Sequence, residues 1–310
     1  MGFLKFLEGI RNPFFDFIFS AITYLGDETA FMAVAILIFW CVSKKDGYYI
    51  LSVGLIGTVI NQFLKLAFRI PRPWVKDPSF TIVESAREAA TGYSFPSGHT
   101  QNSVGTFGAI AFLYKKKWVR ITAIVLCVLV PFSRMYLGVH TPLDVFVSVG
   151  IALVLIFALK PLFDYLVKKP FGMYIFLSSM IVLSLGLLIF ILVFPFPADL
   201  DPHNYESGLK NACTLLGATC GMLIAYPIEE KFIRFETEGK WYSQLIKVAL
   251  GLGIVLGLKA GLKVLLSLFL PAMVERVIRY AIIVLFAVCV WPLAFKFIRR
   301  LENVKKNCCK

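Results

Sequence analysis

The segment KLAFRIPRP, residues 65–73, combines cations with the end of an apolar run. Lys65 ends the run, and Arg72 follows seven residues later, directly before a proline. Two cations at one end of an apolar segment can bind a phosphate, or they can anchor the segment at a membrane surface. Taken alone, this cluster leaves both interpretations open.

The segment PSGHT, residues 96–100, lies at the start of another apolar run. Pro96 and Gly98 favour a turn, after which the first free N–H groups of a helix would form an anion site. Gly98 has no Cβ, so a ligand can approach the backbone closely. His99, one of only three histidines in the chain, places a titratable ring beside that site. A plain helix-capping turn is the alternative.

The segment SRMYLGVHTPLD, residues 133–144, holds a cation, a histidine and a carboxylate. Arg134, His140 and Asp144 are separated by six and four residues. Pro142 is tolerated at the start of a helix, and the four-residue spacing places the carboxylate within reach of the imidazole. A histidine held by an aspartate can act as a base or as a nucleophile.

Together the three clusters predict a site that binds a phosphate and acts on it. Three cations and a helix N-terminus would hold the anion. One histidine would act as base or nucleophile, and the second would donate a proton to the leaving oxygen. Because three cations repel a metal ion, two histidines and one carboxylate fit zinc poorly here. No metal or other cofactor is expected.

The chain that must bring these clusters together is strongly apolar, with 58% hydrophobic residues among 310. Apolar runs recur along almost its whole length, which predicts an all-α, polytopic membrane helix bundle. The runs are continuous rather than alternating, which argues against a β-barrel. The net charge of +13 is concentrated in short clusters between these runs. It therefore favours membrane lipid headgroups over nucleic acid as partners.

Ten apolar segments are expected in this bundle. The first is short and contains Asp16, so a re-entrant or interfacial placement stays open for it. The stretch before it, MGFLKFLEGIRNPFF, is too interrupted by charges for a signal peptide and is expected to lie on the membrane face as an amphipathic helix. The ten segments are 13–25, 28–43, 47–69, 100–114, 118–133, 141–163, 172–195, 208–227, 243–269 and 277–298.

The charges of the connecting loops predict the orientation of the bundle. Lysine and arginine concentrate in alternate loops, which the positive-inside rule assigns to the cytoplasm. The other set of loops includes residues 70–99 and 134–140, so the polar clusters would meet at the outer face. The basic set comprises Lys44 and Lys45, Lys115 to Lys117 with Arg120, Lys168 and Lys169, Lys231 with Arg234 and Lys240, and the tail from Lys296 to Lys310.

The motifs K-x6-RP, PSGH and SR-x5-H-x3-D, in this order, resemble those of the type 2 phosphatidic acid phosphatase superfamily. All three match at their defining positions, and the resemblance covers residues 13–165. It implies a six-helix phosphatase core with an N-terminal interfacial helix over residues 1–165. About four C-terminal transmembrane helices would follow over residues 166–310. It also implies a lipid phosphate or diphosphate phosphatase of a bacterial cell membrane, whose active site the loop charges already predict to face outward.

The resemblance implies a role for each motif residue. His140 would attack phosphorus and form a phosphohistidine, Asp144 would orient His140, and His99 would protonate the departing lipid oxygen. The substrate phosphate would be bound by Lys65, Arg72, Ser97, the Gly98 amide and Arg134.

Two further functions stay open at this point. A lipid phosphotransferase would use the same intermediate, whereas a lipid-phosphate transporter would need only the cations. The pairing of a histidine with an aspartate argues against a transporter, because a binder needs no nucleophile. The resemblance permits phosphatidic acid, phosphatidylglycerol phosphate, undecaprenyl diphosphate and sphingoid-base phosphates as substrates, and the sequence does not choose among them.

Features outside the motifs are expected to be structural. Gly253, Gly257 and Gly261 predict a stripe that packs closely against a neighbouring helix. Lys259 and Lys263 on that helix would anchor it or contact a lipid headgroup. The C-terminal helices could shape a lipid slot, form a homodimer interface or stabilise the core. The seven cysteines lack the spacing of a disulfide framework or a zinc site, so we expect no chemistry from them, although Cys308 and Cys309 could carry a lipid. We expect no chemistry from the surface histidine His203 either.

Overall fold

The computed structural model describes residues 1–197 and 200–299. This part of the chain is helical and contains no β-strand, which confirms the all-α prediction. The helices are α1 (Gly2–Gly9), α2 (Pro13–Thr23), α3 (Glu28–Cys41), α4 (Lys44–Phe68), α5 (Pro73–Lys76), α6 (Gly98–Leu113), α7 (Lys117–Tyr136), α8 (Pro142–Val167), α9 (Gly172–Val193), α10 (Pro202–Ile228), α11 (Trp241–Ser267) and α12 (Ala272–Leu285).

Seven helices within the described residues are individually long and apolar enough to cross a membrane. These seven candidate spans start with α4, α7, α8, α9, α10, α11 and α12. The prediction of a multi-pass membrane protein is therefore confirmed. The helix α6 has 16 residues, or about 24 Å at 1.5 Å per residue, which is shorter than the roughly 30 Å hydrocarbon core. It is therefore not among the seven, although the sequence predicts a span there.

The helices α2 and α3 form a bent pair. With 11 residues, α2 is only about 16 Å long and cannot cross the bilayer by itself. The two helices reach the length and hydropathy of a span only together, and they are bent by 55°. Asp27 begins the second helix, because its carboxylate accepts the N–H of Thr29 at 2.8 Å in the manner of a helix cap. The pair is thus a broken span or a re-entrant segment.

The helix α1 packs against protein. Leu4 and Leu7 are almost fully buried and contact Phe80 in the long loop before α6. The expected amphipathic helix is therefore present, with its buried side against this loop, and its placement on the membrane face stays a prediction. Phe3 and Phe6 lie on its exposed side.

Arg11 ties the chain after α1 to the end of α7. Its Nε donates to the carbonyl of Tyr136 at 2.9 Å and its NH1 to the carbonyl of Thr81 at 2.8 Å. Gly138 has a φ of +82°, which favours glycine, and a Cβ there would lie 2.6 Å from NH2 of Arg11 and displace it. Arg11 consequently holds the short loop that leads to His140.

The described helices group into two compact units. The first consists of Met1–Val34, Tyr49–Asp164 and Ile189–Leu209, and the second of Ala35–Tyr48, Tyr165–Leu188 and the chain from Lys210 onward. All motif residues, the end of α9 and the first turns of α10 belong to the first unit. The division of the chain near residue 165 into core and C-terminal helices stays a prediction.

The second unit contains a buried ion pair on α12. Nε of Arg279 lies 2.7 Å from the Glu275 carboxylate, and both side chains are nearly inaccessible. A second Arg279 nitrogen donates to the carbonyl of Lys259 at 3.2 Å, which joins α12 to α11. Two charges survive in an apolar bundle because each neutralises the other.

The glycine stripe of α11 has no packing partner in the part of the chain that the structure describes. A Cβ built at Gly253, Gly257 or Gly261 meets no atom within 4 Å, so the expected close packing is absent there. On the same helix Lys259 is half-buried and Lys263 is exposed.

Five cysteines in the described residues have free thiols: Cys41, Cys127, Cys213, Cys220 and Cys289. Cys213 and Cys289 are buried and the other three are half-buried, as expected of small apolar side chains. Cys308 and Cys309 lie outside the described residues.

Candidate active site

The three polar clusters meet in the first unit, where α4 and α7 end and α6 and α8 begin. His140, Arg72 and Arg134 all lie within electrostatic range of His99, as does Lys65. The ends of four helices therefore position the candidate residues. Lys65 lies in the last turn of α4, Arg134 lies in the last turn of α7, Ser97 caps α6, and Asp144 lies in the first turn of α8.

Arg72 connects the first cluster with the other two. Its NH1 lies 2.9 Å from Nε2 of His140 and donates to the carbonyl of Val139 at 3.0 Å. Its Nε and NH2 donate to the carbonyls of Gly92 and Thr91 at 3.0 and 2.7 Å. A phosphate brought to Nε2 of His140 would consequently meet this guanidinium.

Asp144 approaches the opposite nitrogen of the same ring. The distance from its Oδ2 to Nδ1 of His140 is 3.5 Å, at which the pair attracts electrostatically although a hydrogen bond is long. Since Arg72 can only donate, Nε2 of His140 must accept, and the ring proton belongs on Nδ1, facing Asp144. This tautomer leaves the lone pair of Nε2 pointing toward Arg72, where a phosphorus atom would have to arrive.

Asp144 also joins the second cluster to the third. Its Oδ2 accepts hydrogen bonds from Oγ of Ser94 at 2.6 Å and from the N–H of Thr141 at 2.8 Å. Its own carbonyl accepts the N–H of Ser97 at 3.2 Å. Thr141 returns a bond to the N–H of Asp144 at 3.3 Å, a reciprocal cap that starts α8. The carboxylate is thereby fixed before it meets the imidazole.

The surroundings of His140 favour its neutral form. The ring is 2% exposed, and burial lowers the pKa of His140 well below its ordinary value of 6.5, with the nearby charge of Arg72 acting in the same direction. Asp144 opposes this effect but does not reverse it. The residue therefore keeps a lone pair available at neutral pH.

Arg134 and Lys65 bring two more cations to the same place. Arg134 is fully buried, and its NH1 donates to Oγ1 of Thr23 at 2.7 Å. Its Nε and NH2 are buried and meet no acceptor among the described residues, which is unusual for a charged group. The Lys65 ammonium donates to the carbonyl of Tyr93. An anion between these cations would supply the acceptors that Arg134 lacks.

The PSGH turn leaves space beside these cations. Oγ of Ser97 accepts the N–H of Thr100 at 3.4 Å and so caps α6, as the sequence suggests. A Cβ at Gly98 would find Asn61 at 3.7 Å as its nearest neighbour, so the described protein does not fill this position. His99 is half-buried at the first turn of the helix.

Three contributors to the site are not predicted from the sequence. Ser94 holds Asp144, Thr23 holds Arg134, and Arg11 holds the loop before His140. Ser94 lies only two residues before the PSGH motif and could have been suspected from that spacing. Thr23 and Arg11 are more than 100 positions from their partners and carry no local signal.

Within the described residues, no group of three or more histidine, cysteine, aspartate or glutamate side chains is arranged to hold a metal ion. The imidazoles and the carboxylate of the site are surrounded by three cations, a charge distribution that suits an anion.

Comparisons with known proteins identify two family models in the chain. The model described as PAP2 superfamily matches residues 46–168, a range that contains all three motifs. The model described as PAP2 superfamily phosphatase, transmembrane extension, matches residues 213–303. The first turns of α10 lie between the two matched ranges.

Similar proteins include enzymes named for different lipid phosphates. Phosphatidylglycerophosphatase B of Bacillus subtilis is 34% identical over 52% of this chain and 80% of its own length. A probable sphingosine-1-phosphate phosphatase of Dictyostelium discoideum is 28% identical over 71% of this chain and 55% of its own length. The chain also matches the crystal structure of a transmembrane PAP2 type phosphatidylglycerolphosphate phosphatase from Bacillus subtilis. The match has 32% sequence identity and a TM-score of 0.44, and it covers 54% of this chain and 85% of the chain in that structure.

The depressed pKa of His140 predicts a pH profile. We expect the acidic limb of kcat/KM to lie below the ordinary histidine value of 6.5, because protonation of the free ring removes the lone pair that attacks. Arg72→Gln removes a neighbouring cation, so the pKa should rise and the limb should move to higher pH. The measurement is kcat/KM against pH for both proteins with the same lipid phosphate. Because ionisation of the substrate affects both profiles equally, a difference between them comes from the protein.

Arg120→Gln, at the other end of α7, is the matched control and should leave the limb in place. A limb that moves to lower pH in Arg72→Gln would contradict the assignment.

The contacts of Arg11 predict a defect in stability and in turnover. Arg11→Met keeps most of the aliphatic length but leaves two backbone carbonyls without their donor, at a cost of about 1–3 kcal/mol. We expect a lower thermal midpoint in detergent and a reduced kcat, because the loop before His140 is less firmly held. Arg11→Lys, which keeps the charge and can form one of the bonds, should be intermediate. An Arg11→Met protein with the midpoint and kcat of the unchanged protein would disprove this role.

Proposed function

The chain belongs to the PAP2 superfamily and is a membrane lipid phosphate phosphatase, and we propose that it acts through a phosphohistidine formed on His140. The observation that carries this proposal is the position of the His140 ring, between Arg72 at Nε2 and Asp144 at Nδ1. A nucleophile needs a lone pair that can meet the phosphate and a partner for the charge that develops, and the position of the ring supports both roles.

In the proposed first step, Nε2 of His140 attacks phosphorus while the bond from phosphorus to the lipid oxygen breaks. His99 gives its proton to that oxygen, so the lipid leaves as an alcohol or, from a diphosphate, as a monophosphate. The positive charge that forms on the His140 ring is stabilised by the carboxylate of Asp144 through the Nδ1 proton.

In the second step, water attacks the phosphorus of the phosphohistidine and the bond to Nε2 breaks. His99, which gave up a proton in the first step, accepts the proton of the water. His140 regains its lone pair and inorganic phosphate departs.

The cations of the site would stabilise the phosphoryl group during both steps. Lys65, Arg72 and Arg134 surround the anion, and the Gly98 amide with Oγ of Ser97 adds neutral donors at the start of α6. Fixed donors of this kind are worth about 3–4 kcal/mol each where water is largely excluded. The unpaired Nε and NH2 of Arg134 support the proposal, because a phosphate oxygen would pair them.

Transfer of the phosphoryl group to a lipid acceptor instead of water would use the same intermediate. It differs only in the second step, so a labelled lipid donor supplied together with an unlabelled acceptor distinguishes the two. A transporter that merely binds lipid phosphate is disfavoured, because the pairing of His140 with Asp144 has no use in binding alone.

We place the site at the outer face of the bacterial cell membrane predicted for this chain. The helices α6 and α7 both run from the site to the basic loop at Lys115–Lys117. Since basic loops stay in the cytoplasm, the opposite helix ends would face outward.

Substitution of the two histidines tests the reaction. We expect His140→Ala to lose at least about 10⁴-fold in kcat, since no nucleophile remains. His99→Ala should lose about 10²–10⁴-fold, the usual contribution of a general acid. With a ³²P-labelled lipid, rapid quenching in alkali should recover an acid-labile phosphoprotein from the unchanged enzyme and none from His140→Ala, and EDTA should not inhibit. Phosphate release by His140→Ala at the rate of the unchanged enzyme would rule out the mechanism.

Cysteine labelling tests the orientation. Pro78 lies exposed in the loop before α6, and Lys116 lies exposed in the basic loop. In a protein whose seven native cysteines are replaced and which still releases phosphate, an impermeant maleimide should label Pro78→Cys in intact cells. Lys116→Cys should react only after permeabilisation. The reverse pattern would place the site in the cytoplasm.

A further inference from the structure

A cavity of about 730 Å³ opens beside the proposed phosphate site in the first unit. This volume is in the range of pockets that bind small ligands. Its wall includes Arg69, Arg72, Trp74, Gly92, Asp201 and His203.

The cavity adjoins the proposed phosphate site, because Arg72 belongs to both. Arg72, which contacts Nε2 of His140, also lines the cavity. Gly92 and Tyr93 line it as well, and their carbonyls accept hydrogen bonds from Arg72 and Lys65. A group attached to a phosphate at His140 would therefore lie next to this cavity, with Arg72 at the boundary.

The opposite wall comes from the start of α10. A Cβ at Gly92 would lie 3.8 Å from Oγ of Ser207, and one at Gly208 would lie 2.8 Å from the side chain of Leu66, so this helix packs closely on the end of α4. Ser207 and Gly208, at the start of α10, lie outside residues 46–168, which match the PAP2 model. The cavity thus requires a segment outside the part of the chain that matches the superfamily model.

Arg69 occupies an unusual backbone position at the mouth of this cavity. It follows the last residue of α4 with a φ of 48°, a left-handed conformation that normally selects glycine or asparagine after a helix. Its NH1 donates to the carbonyl of Leu66 at 3.4 Å, and no carboxylate of the described residues pairs with it. Glycine would be less strained than arginine at this position. The presence of Arg69 there therefore points to a role for its charged side chain.

The remaining charges of the cavity favour an anion. The carboxylate of Asp201 caps α10, accepting the N–H of His203 at 2.8 Å and Nδ2 of Asn204 at 3.3 Å. Its charge is therefore partly compensated by the helix start. Arg69, Arg72 and the His203 ring are left as groups that can donate to a ligand.

We propose that this cavity binds a second phosphate group, carried by the leaving part of the substrate, with Arg69 as its principal cation. The inference rests on the proposed function, because it requires the first phosphate to be held at His140. Two kinds of lipid carry such a group: an isoprenyl diphosphate, with a phosphate directly bonded to the first, and phosphatidylglycerol phosphate, with a phosphodiester beyond a glycerol. Phosphatidic acid and sphingoid-base phosphates lack it.

The test compares kcat/KM for these four lipids in detergent micelles. Arg69→Asn removes the charge and retains a residue that tolerates the left-handed backbone. We expect it to lower kcat/KM about 10- to 100-fold for lipids with a second phosphate, the scale of one hydrogen bond to a charged group. Cleavage of phosphatidic acid should change less than about threefold, which also shows that the variant is folded. Arg69→Lys should retain most of the preference.

The lipid that loses most identifies the source of the second phosphate, since the diphosphate and the phosphodiester place it at different distances from His140. An equal loss for all four lipids, or no loss for any, would overturn the inference and leave the proposed function intact. The inference would also be overturned if the unchanged protein preferred the sphingoid-base phosphate and Asp201→Asn abolished that preference. The cavity would then bind an ammonium group instead of a second phosphate. Failure of the unchanged protein to hydrolyse any of the four would overturn the proposed function and this inference together.

Discussion

An excess of buried positive charge is the constraint around which the first unit is built. Lys65, Arg72 and Arg134 are each at most 6% exposed and share their surroundings with two imidazoles and the carboxylate of Asp144. Cations so placed repel one another and lose their hydration. Backbone carbonyls supply most of the compensation, because Arg72 alone donates to three of them. The donors of Arg134 that remain unpaired fit a phosphate better than a further carbonyl, since a phosphate also brings charge.

This compensation explains why the loops of the site are ordered although they have little regular structure. The carbonyls that satisfy Arg72 belong to residues 91–92 and 139, on two separate loops. Asp144 joins the same two regions through Ser94, Ser97 and Thr141. The groups that would bind substrate therefore also hold the loops in place. Replacing one of these groups would alter both substrate binding and the position of the loops. Kinetic and folding measurements must therefore be made on the same variants.

The sequence predicts the helical bundle and the pairing of His140 with Asp144 because both leave local signals. Long apolar runs indicate spans, and the four-residue spacing of His140 and Asp144 places them on one face at the start of α8. Contacts between distant segments leave no such signal. The hydrogen bond from Arg11 to the carbonyl of Tyr136 joins residues more than 100 positions apart, so it depends on how the whole intervening chain folds. The bend between α2 and α3 depends on packing around Gly26, where a Cβ would lie 2.7 Å from the carbonyl of His99. Neither follows from periodicity.

Motif residues that contact only a phosphate cannot distinguish one lipid phosphate from another. Relatives of this chain are named for different lipid phosphates, so discrimination among lipids would have to come from groups that contact the rest of the molecule. In this chain the cavity beside Arg72 is lined on one side by the loop after α4 and on the other by the start of α10. The first wall is set by the superfamily core and the second lies outside it. Changes in the segment between α9 and α10 would therefore alter the choice of lipid while the charges that would hold the scissile phosphate, and the loops they connect, stay the same.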